Sequence, residues 1–176
     1  MKTDFMRAFL VAAMFVGACA GLPQQLALLH VSLAQELPVQ LFGRVQQVVD
    51  GDTIRMSGEK IRLDGIDAPE RDQIALHRGR AVNQGAMASR ALAEKLGRRE
   101  VRVDIHERGH YGRLIGTVFL GGRDINREMV NDGLAWAAYG NQYQAEQRQA
   151  QQARRGIWAH EGTVAPRQWR KSKAGN

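Results

Sequence analysis

The order of segments along this chain narrows its fold more than any single residue: three short strand-like stretches, one long helical stretch, then two more strands. Val39, Leu41, Gly43 and Val45 alternate with polar neighbours, the period-two pattern of a strand with one buried face. Asp50-Gly51 follows as a hairpin turn signal, and strands are expected at 53–56 and, past Ser57-Gly58, at 60–63. Between residues 80 and 96 the pattern changes to that of a helix. Val82, Ala86, Met87, Ala93 and Leu96 recur at three- and four-residue spacings, and Gly97 supplies a stop. Val101, Val103 and Ile105 then alternate, and residues 113–120 form a nearly continuous apolar run suited to a strand buried on both faces.

Five strands interrupted by a helix after the third have the connectivity of a five-stranded OB-type β-barrel. Two further helices, at 125–132 closed by Gly133 and at 143–155 closed by Gly156, complete an α+β domain with three helices. The 44% hydrophobic content is enough for one globular core. The expected organisation is a signal peptide or N-terminal anchor over 1–34, one folded domain over 35–160, and a loose basic tail over 161–176.

A net charge of +7 and a pI near 10.2 suit a polyanionic partner such as nucleic acid, a property shared with ribosome-associated and membrane-surface proteins. At the start of the chain, Lys2 and Arg7 precede an apolar run over 8–20 with small residues at Ala18 and Ala20, which reads as an export signal. Cleavage would leave Gly21 or, after Ser32-Leu33-Ala34, Gln35 as the first residue. Val16-Gly17-Ala18-Cys19 also resembles a lipobox, and Cys19 is the only cysteine. The run is short against the about 20 apolar residues of a membrane span. The expectation is an exported protein, periplasmic or secreted, with membrane attachment through Cys19 or an uncleaved N-terminus as the alternative.

Chemistry concentrates in three segments: Asp50-Gly51-Asp52-Thr53, residues 62–70 reading RLDGIDAPE, and Tyr111-Gly112-Arg113. Asp52 and Asp67 can hold a hard cation, Glu70 can take a proton from water, and Arg62 and Arg113 can grip a phosphate through planar two-point hydrogen bonding. Singly, each has a bland reading. Asp-Gly-Asp is an ordinary turn, and an arginine on a strand is usually a solvated charge; the weight rests on the order and spacing of all three. An EF-hand is excluded, because a loop starting at Asp50 would put Ile54 and Ile61 at positions that need oxygen ligands. His106 and His110 lie in a glycine-containing hairpin with no cysteine or third histidine beside them, which argues against a zinc site.

In this order, with residues 126–135 and Gly156-Ile157-Trp158 added, the segments resemble the staphylococcal nuclease (thermonuclease) family over residues 42–158. The resemblance implies an OB-type barrel with three helices, Ca2+-dependent cleavage of DNA and RNA, and release of 3′-phosphate ends. It implies that Asp52 and Asp67 ligate calcium through their side chains and Ala68 through its backbone carbonyl, with Asp50 in the outer shell. Arg62, Glu70 and Arg113 would be catalytic, and Tyr111 and Tyr139 would lie against the substrate; His110, whose role the resemblance does not cover, is expected to brush the substrate as a loop histidine. The chain departs from the family pattern at Ala68, where the best-known member has threonine, at Gly109-His110, and over the loop 71–79. The competing reading is a non-catalytic OB-type module that only binds nucleic acid. Such a binder has no need of Arg62, Glu70 and Arg113 together, and 6% aromatic residues leave few stacking platforms.

Overall fold

The computed structural model describes residues 39–109 and 112–175. The expected export signal, Cys19, His110 and Tyr111 lie outside the described residues. Within them, β1 (Val39–Asp50) is long enough to serve two neighbours. Its first half pairs antiparallel with β7 (Glu100–Arg108), from Val39 against Ile105 to Arg44 against Glu100. Its second half pairs with β2 (Thr53–Met56), from Val45 against Met56 to Asp50 against Thr53. Irregularities in the second pairing, between Val45 and Gln47 and between Val48 and Asp50, bend the strand so that it can change partners.

Ser57 and Gly58, both at positive φ (52° and 81°), turn β2 into β3 (Glu59–Leu63). This is the left-handed pair that a two-residue hairpin requires. β3 then pairs in parallel with β8 (Leu114–Leu120), matching Ile61 to Leu114, Arg62 to Ile115 and Leu63 to Gly116. Because β8 also pairs with β7, this contact closes a five-stranded mixed barrel in the order β3-β2-β1-β7-β8. A Cβ at position 116 would overlap the Asp104 carbonyl of β7, so the closed crossing depends on glycine there. Residues of both barrel and helices, among them Ile54, Ile61, Leu63, Leu92, Val103, Val118 and Met129, are fully buried in one core.

The helix expected at 80–96 is shorter, α1 (Gln84–Leu96). Asn83 caps it by accepting from the Ala86 N–H at 2.8 Å, and Ala88, Leu92 and Leu96 form its buried stripe. The four residues before it belong to a hairpin of β5 (Ile74–His77) and β6 (Arg80–Asn83), turned by Arg78 and Gly79 at positive φ. Val82 fell on a helical spacing by chance; the Arg-Gly turn and the Asn cap determine the structure. Helices α2 (Ile125–Asn131) and α3 (Gln144–Gln152) stand where expected, with trimmed ends. Two-residue strands β4 (Ile66–Asp67) and β10 (Trp136–Ala137) pair, setting Asp67 opposite Trp136, and β9 (Arg123–Asp124) leads into α2. Asn126, fully buried, accepts from the Val118 N–H and donates to the carbonyls of Asp64 and Gly116, tying α2 to the barrel.

The tail is not loose. Residues 166–174 form a fourth helix, α4 (Pro166–Ala174), with proline in its first turn, where the missing N–H costs nothing. The β5–β6 hairpin holds the segment before it: Leu76 and Glu161 exchange backbone hydrogen bonds, Gln73 Nε2 donates to the Val164 carbonyl at 2.7 Å, and Gln84 Nε2 donates to Thr163 Oγ1 at 2.7 Å.

Gly85, in the first turn of α1, lies against the Glu70 peptide so closely that a Cβ would overlap its carbonyl. Gly85→Ala is therefore expected to destabilise the fold by about 1–3 kcal/mol through overpacking, measured by urea unfolding. Wild-type stability would mean that the backbone at Glu70 can shift without cost.

Candidate active site

An open cleft of about 750 Å³ runs along one side of the barrel. It is lined by Asp50, Asp52, Arg62, Ala68, Glu70, Arg113 and Tyr139, and also by Lys60, Asp64, Glu107 and Arg170. Each arrives for a local structural reason. Asp50 ends β1 and its Oδ1 accepts from the Asp52 N–H at 3.2 Å, so it caps the turn that presents Asp52. Gly51 keeps that turn tight: a Cβ would lie 2.7 Å from the methyl groups of both Ala68 and Ala88. Alanine at 68 thus fits a close packing of the two acidic loops. The Ala68 N–H donates back to Asp52 Oδ2 at 3.2 Å.

Arg62, on β3, lies between the two carboxylates. Its Nη2 stands 3.2 Å from Asp52 Oδ2 and 2.9 Å from Asp67 Oδ1, and it donates to the Ile66 carbonyl at 3.3 Å. Tyr139, 68% exposed and itself at positive φ, covers the guanidinium with its ring 5.3 Å away. Burial pushes the Asp52 carboxyl up to about 6; Arg62 opposes that shift and Asp50 adds to it. Arg62 is itself buried, which works against its charge, yet Asp52 and Asp67 together keep it firmly protonated. Arg113, just before β8, the strand beside Arg62's, also lines the cleft and makes no ion pair among the described residues.

The donor set suits a hard cation. One nitrogen of Arg62 touches oxygens of both Asp52 and Asp67, so a single positive centre can reach both at once. All the nearby donors are oxygens, which favours calcium or magnesium over zinc. No group of three or more His, Cys, Asp or Glu stands ready for a metal among the described residues. A cation here would therefore draw its other ligands from backbone and water.

The fold thus brings Asp50, Asp52, Arg62, Ala68, Glu70, Arg113 and Tyr139 to one cleft, and Asp67 to the carboxylate cluster that Arg62 neutralises. Sequence reasoning missed Arg170. It comes from α4 and donates through Nη2 to Asp67 Oδ2 at 3.0 Å and through Nη1 to Glu70 Oε1 at 2.6 Å. Pro166, followed by a Trp-Arg pair, was the available signal for a docked helix rather than a tail.

The family model described as staphylococcal nuclease homologue matches residues 60–160 of this chain. The chain belongs to the staphylococcal nuclease family. It is 33% identical over 164 residues to Protein ParB of Escherichia coli, covering 82% of this chain and 88% of that one. An uncharacterized endonuclease of Escherichia coli O157:H7 is 32% identical over 148 residues, covering 78% of this chain and 90% of its own length. A probable staphylococcal-like nuclease CAN1 of Oryza sativa subsp. japonica is 30% identical over 127 residues, which are 70% of this chain and 36% of the plant protein. The matched segment holds Arg62, Asp67, Glu70 and Arg113.

The buried Asp52 gives a signature in stability. Its native carboxyl holds a proton more tightly than the ordinary value of 3.8, so its contribution is fully present below 3.8 and is lost as pH rises through about 6. Measured by urea unfolding in chelator, wild type should lose stability relative to Asp52→Asn over that interval. Parallel pH curves for the two proteins would show that Asp52 titrates normally.

Proposed function

We propose that this protein is an exported, calcium-dependent endonuclease that hydrolyses phosphodiester bonds in DNA and RNA with little sequence preference and leaves 3′-phosphate ends. What supports the reading is the gathering of the buried carboxylates Asp52 and Asp67, the partly exposed carboxylate of Glu70 and the arginines Arg62 and Arg113 around one open, polar cleft on a basic, nuclease-family domain.

The chemistry follows from the charges. A phosphodiester repels nucleophiles, and further charge builds on its oxygens as water attacks. Asp52, Asp67 and the Ala68 carbonyl would hold calcium, which would supply positive charge beside the phosphate. Glu70 takes the proton of the attacking water, since it sits at the cleft edge on the turn after Pro69 with its side chain 38% exposed. Arg62 and Arg113 donate to the phosphoryl oxygens as rigid forks, a geometry that lysine does not provide. The scissile bond is the one to the 5′ oxygen, which leaves with a proton from Arg113 or water; this leaves the phosphate on the 3′ side. Tyr139 offers an exposed ring at the lip for the nucleotide. Asp50 supports the cation by holding the Asp52 turn.

Cleavage of single-stranded DNA should stop in EDTA and return with calcium. Glu70→Gln and Arg113→Ala should each slow it by at least ~10²-fold with unchanged circular dichroism. Full activity in chelator would remove the calcium assignment. Folded variants that cut like wild type, or a wild type that binds without cutting, would leave a binding module in its place.

Export rests on the charged and apolar pattern of residues 1–20. Intact-mass measurement on protein from its native host should give a start at Gly21 or Gln35, or at a lipidated Cys19. Retained Met1 would count against processing.

A further inference from the structure

Helix α4 places a third arginine among the carboxylates of the cleft. Arg170 forks Asp67, with Nη2 at 3.0 Å from Oδ2 and Nη1 at 3.3 Å from Oδ1, and Nη1 makes its shorter contact, 2.6 Å, with Glu70 Oε1. Hydrogen bonds to Asp67 and burial pull the guanidinium in opposite directions, with the bonds to Asp67 and Glu70 prevailing, so it stays charged. The helix carrying it is fixed to the same loop. Trp169 Nε1 donates to Asp72 Oδ1 at 3.1 Å, Lys173 pairs with Asp72 Oδ2, and Lys173 lies 5.5 Å over the Trp169 ring. Residues 169, 170 and 173 are one helical face, and that face spans Asp67, Glu70 and Asp72. Upstream, the β5–β6 hairpin clamps residues 161–164, so the helix enters the cleft at a set position. Arg170 lies ten residues beyond the segment that the family model matches.

Two properties of Glu70 need explaining. A general base must be held within hydrogen-bonding reach of one water, yet Glu70 stands on an exposed turn with 38% of its side chain in solvent. Its backbone is fixed, by Gly85 behind it and by Gln73, whose side-chain Oε1 accepts from the Glu70 N–H at 3.1 Å. Its carboxylate has Arg170 as its hydrogen-bond donor among the described residues.

We propose that Arg170 is a positioning residue of the active site: it fixes the carboxylate of Glu70 for proton transfer, and its fork on Asp67 occupies oxygens for which the catalytic cation competes. The inference rests on the roles given above to Glu70 and Asp67. It makes α4 a working part of the enzyme.

The test uses the full chain with Arg170→Ala, Arg170→Lys and Glu70→Gln. At saturating calcium, Arg170→Ala should lower kcat on single-stranded DNA by at least ~10-fold, the range for losing an outer partner of a catalytic group, with KM within about threefold. Arg170→Lys, which keeps a charge but not a fork, should fall between it and wild type and serves if the alanine variant does not fold. Millimolar guanidinium chloride, matched against sodium chloride, should restore part of the Arg170→Ala rate and none of the Glu70→Gln rate. Calorimetric calcium titration without nucleic acid should show binding at least as tight in Arg170→Ala as in wild type, because a competing cation has gone. A loss carried by KM, a weakened calcium affinity, or no response to guanidinium would overturn the proposal. Wild-type kcat in Arg170→Ala beside an inactive Glu70→Gln would overturn it alone, whereas an active Glu70→Gln would remove the reading beneath it.

Discussion

The parallel pairing of β3 with β8 is the contact on which the rest of the structure depends. It closes the sheet into a barrel, and in the same register it sets Arg62 opposite Ile115, two residues past Arg113. Strands far apart in sequence thereby bring Arg62 and Arg113 side by side to one cleft. The glycine at 116 that allows β8 to approach β7 is as much a condition for the site as any charged residue, because without that approach the barrel cannot close around Arg62. The buried amide of Asn126 reinforces the same crossing by joining β8, the β3–β4 turn and α2.

Around that frame the carboxylates sit in surroundings that disfavour them. Asp52 and Asp67 are each 5% exposed, and a buried carboxylate is tolerated only when paired and hydrogen-bonded. Arg62 and Arg170 provide the pairing, and Thr53 Oγ1 and the Ala68 N–H satisfy Asp52 further. Taking these carboxylates out of water costs stability that their pairing must offset. The upward shift of Asp52 expresses that cost directly.

Much of this was legible in the sequence, for reasons that differ by element. The strands of the barrel bury one face and so carry a period of two, and the turn glycines were legible too: Ser57-Gly58 adopt a left-handed backbone, while Gly51 and Gly97 sit where a Cβ would clash with neighbours. The acidic segments and Arg113 could be assigned to one site because spacing and order, rather than any one residue, carried the information; the cleft brings them together. The β5–β6 hairpin was hidden because its strands are only four residues long and expose Ile74 and Leu76 while burying only the small Ala75, and the neighbouring buried side chain, Gln73, is polar. α4 was hidden because it buries only Pro166 fully and is held by partners about 100 positions away in the chain, such as Asp67, Glu70 and Asp72. Local pattern does not report contacts of that kind.

The way α4 is attached has one more consequence. Apart from the hydrogen bonds that clamp residues 161–164 and the buried Pro166, its docking depends largely on ion pairs with Asp67, Glu70 and Asp72 beside an open cleft. Such pairs are screened over a Debye length of about 8 Å at physiological ionic strength, whereas the barrel core is indifferent to salt. The grip of this cleft on a polyanion is screened by the same ions. Dilute and saline surroundings therefore act on the enzyme twice, through the strength with which it holds a strand and through the closeness with which its last helix is held to the acidic loop.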